Sequence, residues 1–230
     1  MAFGKMLNKK IWLISRMDQA SMLAEHLSQK NYLVKWDSFV RFSKNNIFRM
    51  LFFRNKTSRL TSKKLSQIKG THFLPEVLGS LIKALNFETP TKYSDILLAL
   101  LASKKPPKDF DILHGQGNYS LESAIYAQSI GKKFISDVSG HMGVTREKQL
   151  AEVHNKNNVE FNNGVPILQQ RRLVEAIISD AIICPSKSVK SELIELGISD
   201  KKIFIANYDA PQAQNLINIP PRKLLATKNI

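Results

Sequence analysis

Hydrophobic positions along this chain fall into short runs separated by stretches with helical spacing. Residues 10–15 (KIWLIS) read as a first strand, and residues 32–39 as a second. Between them Asp18 is placed to cap a helix running to Lys30, with Met22, Leu23 and Leu27 on one face. Helices are expected around residues 76–85 and 93–102, the latter closed by Lys104-Lys105-Pro106-Pro107. A strand at 110–114, a helix at 119–130, a strand at 132–138 and helices at 146–154 and 165–179 follow. Leu173, Val174, Ile177 and Ile178 are expected to point inward from the last of these.

The pattern is sharpest from 171 to 207. The run at 181–184 is four apolar residues, long enough for a strand and too short for a helix. Pro185 ends it, and the Ser186 hydroxyl is placed to accept an unpaired amide at the start of the next helix. Val189, Leu193 and Leu196 mark one helical face, and Gly197 stands where a left-handed cap is wanted. Residues 202–206 return to a strand. Strand, helix and strand joined by short loops make a parallel crossover. The chain therefore predicts an α/β fold: a doubly wound, Rossmann-like parallel sheet of six or seven strands with helices on both faces.

Composition narrows the class. The longest apolar run, residues 96–102, is far short of the ~18 residues a bilayer-spanning helix needs. The run at 11–14 is too short for a secretory signal, and a lone cysteine, Cys184 in an apolar strand, reads as a buried small hydrophobe in a reducing cytoplasm. The formal charge of +15 is unevenly spread, with no acidic residue between Asp37 and Glu76. Arg49, Arg54, Lys56 and Arg59 are interleaved there with Phe48, Phe52 and Phe53. A basic, aromatic, amphipathic segment suits an anionic membrane surface, and it equally suits a core-facing aromatic stripe with solvated bases. Nucleic acid is disfavoured, because no recognised nucleic-acid-binding motif accompanies the charge.

Chemistry in such a fold belongs outside the carboxyl ends of the strands. Two loops fall there. His114-Gly115-Gln116-Gly117-Asn118 joins a strand to a helix, and its glycines permit a tight turn and close approach to a ligand. With Asp137 about twenty residues on, it nearly matches a dinucleotide fingerprint, but Ser120 replaces the third glycine and the motif lies in mid-chain. A dinucleotide-binding oxidoreductase is the lesser alternative. No second ligand accompanies His114 at metal-binding spacing. The other loop, Asp137-Val138-Ser139-Gly140-His141, sets a histidine between glycines at a strand end, where it can meet a ligand or merely cap the helix after Thr145.

The succession Arg171-Arg172, Glu175, Ser179-Asp180-Ala181, Cys184-Pro185-Ser186, Gly197 and Lys202-Ile203 resembles a segment of the family-four glycosyltransferases of the GT-B architecture. The resemblance covers residues 10–210 and departs at Asn207-Tyr208-Asp209-Ala210, where the family's glycine is missing. It implies an acceptor-side domain over 10–210, a basic leader at 1–9, and a tail or linker at 211–230 standing where a donor domain would begin. It further implies transfer of a sugar from a nucleotide-sugar to a glycan or lipid-linked acceptor, with no cofactor and no catalytic metal. Three accounts of the donor half fit: a split enzyme whose partner supplies it in trans, a truncated product, or an acceptor-side module with another use. The chain would be cytoplasmic or peripheral at the inner membrane face. By the same resemblance His141 is the catalytic residue. His114, Gly115, Gly117, Asn118, Asp137 and Ser139 become the substrate-binding set. The competing reading is a non-catalytic basic module that binds a membrane or polyanion through Arg49, Arg54, Lys56 and Arg59.

Overall fold

The central sheet has the strand order β5-β2-β1-β6-β7-β8-β9, and every pairing is parallel. A computed structural model describes residues 9–43, 60–85, 90–142, 151–153, 155–157 and 166–206. The strands are β1 (Ile11–Ile14), β2 (Leu33–Phe39), β3 (Phe42–Ser43), β4 (Leu60–Thr61), β5 (Thr71–His72), β6 (Ile112–Gln116), β7 (Lys133–Asp137), β8 (Ala181–Cys184) and β9 (Ile203–Ile205). The described helices are α1 (Met17–Gln29), α2 (Lys63–Gln67), α3 (Leu74–Ala84), α4 (Pro90–Lys104), α5 (Leu121–Ser129), α6 (Pro166–Ile178) and α7 (Lys187–Glu195). β3 and β4 form a separate two-stranded pair.

The chain winds outward from β1 to β2 and β5, then crosses back to β6 and proceeds to β9. The winding reverses between β1 and β6, and a crevice opens at such a switch point. Successive side chains of β1 point to opposite faces. Trp12 and Ile14 join Leu98 and Ala102 of α4 and Ala124 and Ala127 of α5 in one core. Leu13 faces Ala20, Ala24 and Leu27 of α1 and Leu65 of α2 in another. A third cluster holds Ile182 and Cys184 of β8 against Ala176 of α6 and Val189 and Leu193 of α7. The sheet is thus covered on both faces, as the sequence predicts for a Rossmann-like unit.

Several local expectations are corrected. Asp18 lies inside α1, whose N-cap is Arg16 without a side-chain hydrogen bond. Met22 is solvent-exposed, and the inward face of that helix is Ala20, Ala24 and Leu27. Val174 and Ile177 are likewise exposed on α6, while Glu175 and Ala176 are fully buried. On α7 Leu196 is exposed and Glu192 is buried. On α6 and α7 a carboxylate holds an inward position because hydrogen-bond donors wait there. β6 continues past His114 to Gln116, and a 3₁₀ turn at Asp200–Lys202 precedes β9.

Other expectations hold. The Ser186 hydroxyl accepts from the Val189 amide at 3.3 Å, Gly197 has φ +86°, and Cys184 is a buried free thiol. Of the basic stretch, Arg49, Arg54, Lys56 and Arg59 lie outside the described residues, as do Thr145 and residues 207–230. Arg41, at its near end, is buried. Its guanidinium donates to the carbonyls of Trp36 and Ile68 at 3.1 and 2.8 Å and lies over the Trp36 ring, so this cation serves the fold. Burial lowers its pKa to about 10. Among the described residues no helix is long and apolar enough to cross a membrane.

Candidate functional site

β1 ends at Ile14 and β6 at Gln116, and the Arg16 amide donates to the Gln116 side chain at 3.1 Å across the point where the winding reverses. Beside this switch point lie the two segments singled out from the sequence, at the carboxyl ends of β6 and β7. They are bound together. The Gly117 amide donates to the Asp137 carbonyl at 3.1 Å. Arg172 of α6 reaches both loops, with its guanidinium 3.5 Å from the His141 carbonyl and its side chain against the α-carbon of Gly117.

The loop after β6 is shaped by a buried carboxylate. Glu175 accepts from the backbone amides of Asn118 and Ser120, both at 3.1 Å. Tyr119 donates its amide to the Gln116 carbonyl at 3.3 Å. Four successive amides, from Gly117 to Ser120, therefore have partners within the fold. A dinucleotide pyrophosphate needs free amides at such a turn. Here two of them meet Glu175 and the other two meet backbone carbonyls, which disfavours the oxidoreductase alternative.

Gly115 and Gly117 also have steric reasons. A β-carbon on Gly115 would stand 2.2 Å from the Ser120 hydroxyl, and one on Gly117 would stand 3.2 Å from the Arg172 side chain. Asn118 takes φ +82°, a left-handed conformation that asparagine tolerates better than most residues. Alanine at Gly115 is expected to destabilise the protein by about 1–3 kcal/mol through overpacking, read from the denaturant midpoint. An unchanged midpoint would show that the turn relaxes freely.

Burial penalises the charge on Glu175 and pushes its pKa up to about 7, against the pull of the two amides and of Arg171. Asp95 of α4, also buried, is pushed up to about 6, with Arg16 and the Tyr119 hydroxyl drawing it down. The same burial, reinforced by Asp95, raises the Tyr119 phenol. Arg171 grips Glu122 of α5 through two parallel bonds of 2.7 Å, which fixes α6 against α5.

His114 is buried within β6, two residues before its end, with its Nε2 3.9 Å from an Asp137 carboxylate oxygen and without a hydrogen-bond partner among the described residues. The Asn118 side-chain oxygen is unpartnered in the same sense. Ser139 is half-buried beyond β7.

His141 has the most developed surroundings. Its Nδ1 lies 2.7 Å from an oxygen of Glu192, which also accepts the Met142 amide at 3.0 Å. A buried carboxylate facing Nδ1 sets the tautomer with the proton there, which leaves the lone pair on Nε2. Nε2 lies 3.3 Å from the hydroxyl of Ser188, an exposed residue of α7. Ser188 and Glu192 are four apart, so one face of α7 supplies both neighbours of the imidazole. Such a histidine can take a proton from a hydroxyl that replaces or joins that of Ser188.

The structure thus gathers His114, Gly115, Gly117, Asn118, Asp137, Ser139 and His141 around the carboxyl ends of β6 and β7. Sequence reasoning missed Arg16, Asp95, Tyr119, Arg172, Ser188 and Glu192. The legible signal for Glu192 was a carboxylate inside an apolar helical stripe, between Val189 and Leu193.

No family model matches the sequence, and no curated protein matches it. Solved structures do. The UDP-GlcNAc 2-epimerase of Methanocaldococcus jannaschii is 17% identical, over 85% of this chain and 45% of that one, with a TM-score of 0.45. The UDP-N-acetylglucosamine 2-epimerase of Rickettsia bellii is 13% identical over 91% and 48%, with a TM-score of 0.47. UGT89C1 of Arabidopsis thaliana, solved with UDP, is 12% identical over 91% and 55%, with a TM-score of 0.38. The chain spans about half the length of these proteins.

Proposed function

We propose that this domain is the acceptor-side half of an enzyme of the GT-B kind that acts on a nucleotide-sugar, and that it transfers the sugar to a hydroxyl acceptor. The observation that carries this reading is the orientation of His141, held by the buried Glu192 with Nε2 turned toward the exposed Ser188. In the proposed reaction the acceptor oxygen forms a bond to the anomeric carbon as the bond from that carbon to the diphosphate breaks. The acceptor proton passes to His141 Nε2, and Glu192 stabilises the imidazolium. The nucleoside diphosphate leaves with the electron pair. Donors that stabilise its charge belong to the other half of the architecture. His114, Asn118, Asp137 and Ser139 supply polar atoms for the sugar hydroxyls, and Arg172 holds the two loops in register.

The test mixes the chain with candidate donor-domain proteins, beginning with those encoded beside it, and a panel of nucleotide-sugars. Free nucleotide and glycosylated acceptor are measured. Turnover by the mixture, with little nucleotide-sugar binding and no turnover by the chain alone, is expected. Turnover by the chain alone would overturn the half-enzyme reading. Conversion of the nucleotide-sugar without nucleotide release would replace transfer by isomerisation.

A further inference from the structure

Away from His141, a groove of about 730 Å³ opens between the start of β2, the β5 edge and the C-terminal end of α4 with the segment after it. It shares no lining residue with the His141 site, and the segment at 101–108 leads into the amino end of β6, not its carboxyl end. The size is that of a small-ligand site.

Its chemistry is one-sided. Lys35, Lys69, Lys104, Lys105, Lys108 and His72 line it, with two prolines and two aliphatic side chains as its apolar wall. The buried carboxylate beneath is Asp37. Its oxygens take Lys35 at 2.8 Å, His72 at 2.6 Å and the Trp12 indole at 2.5 Å, so its charge is met inside the protein. Lys35 also donates to the Lys105 carbonyl at 2.7 Å. The four remaining lysines are exposed and have no ion pair among the described residues. Part of the floor is bare backbone. Gly70 has φ +113°, and a β-carbon there would stand 2.3 Å from the Trp36 carbonyl.

Like charges brought together around one concavity repel, and a multiply charged anion relieves that repulsion at several points at once. Arginine would match a planar carboxylate with its two-pronged fork, whereas lysines act as point charges. A groove lined by lysines and without arginine therefore favours a ligand with several negative centres, each met singly. We propose that this groove is a binding site for a ligand bearing clustered phosphates, separate from the His141 site.

Two probes distinguish the sources of that chemistry, inorganic tripolyphosphate in solution and phosphatidylcholine vesicles with or without phosphatidylglycerol. The test variant combines Lys69→Ala, Lys104→Ala and Lys108→Ala. The control removes the same charge elsewhere, as Lys30→Ala, Lys63→Ala and Lys201→Ala, all exposed positions. Circular dichroism confirms that both fold. For at least one probe at low salt, the groove variant is expected to lose about tenfold in affinity and the control under about twofold. Loss confined to tripolyphosphate assigns a soluble ligand, and loss confined to anionic vesicles assigns a lipid headgroup. Equal losses in the two variants, or no binding of either probe by the wild type, would overturn the proposal.

Discussion

Replacing His141 by alanine should lower the turnover of a reconstituted transferase by about 10²–10⁴-fold, the usual worth of a general base. The donor KM should change little, because in the proposed reaction the imidazole meets the acceptor. Glu192→Gln leaves an amide oxygen for the Nδ1 proton but removes the charge that stabilises the imidazolium, and a smaller loss of about tenfold is expected. Ser188→Ala tests the neighbouring hydroxyl. If Ser188 only occupies the position an acceptor oxygen takes, its loss should leave turnover within about threefold. Single-turnover rates for the three variants check the assignment. Full activity in His141→Ala would remove the histidine from the mechanism, and a Ser188→Ala variant as inactive as His141→Ala would move the chemistry to the serine.

Glu175 should make the protein less stable as pH rises through neutrality. Its folded pKa of about 7 lies above the ordinary carboxylate value of 4.5, so the folded state holds the proton more tightly than the unfolded one. That advantage is fully present below about pH 4.5 and is lost as pH rises through 7, for a total of about 3 kcal/mol. Asp95, raised to about 6, acts with the same sign. Glu122, Asp180 and Asp111 are lowered, so their contributions are lost only toward acid pH and leave the window between about 5 and 8 clear. Urea midpoints of wild type and Glu175→Gln at pH 5 and pH 8 should therefore move apart in favour of the glutamine variant at the higher pH. Parallel pH dependence would show that Glu175 does not titrate in this range. Glu175→Ala should be the harsher change at either pH. It opens a cavity and leaves the Asn118 and Ser120 amides unpaired, at a cost of about 2–5 kcal/mol. In a reconstituted enzyme the same variant should also impair turnover, since the turn after β6 that carries Asn118 loses its anchor.

The fold class was legible because it rests on local periodicity. The four-residue run at 181–184 is β8 with the bounds read from the sequence, and the Ser186 and Gly197 caps are where backbone chemistry requires them. The two loops were legible for a related reason. Glycines and a histidine at strand ends are poor packing material, and in a doubly wound sheet strand ends are where ligands meet the protein.

Side-chain direction was less legible. Spacing placed Val174, Ile177 and Leu196 on inward faces, yet all three are exposed, while Glu175 and Glu192 are buried beside them. A sequence reading ranks positions by hydrophobicity and assigns a buried carboxylate to solvent, since burying an unpartnered charge is costly. The partners that overturn this ranking lie more than fifty residues away for Glu175, in the amides of 118 and 120, and about as far for Glu192, at His141 and Met142. No local pattern encodes contacts of that separation. The same holds for the lysine groove, whose cations come from β2, the approach to β5 and the end of α4. By itself the sequence determined the alternation of strands and helices, the parallel sheet and the glycine-rich turns at its strand ends, because each follows from backbone geometry over a few residues. Only the tertiary structure decided which carboxylates are buried and which histidine is oriented, because these depend on hydrogen bonds between chain segments that only folding brings together.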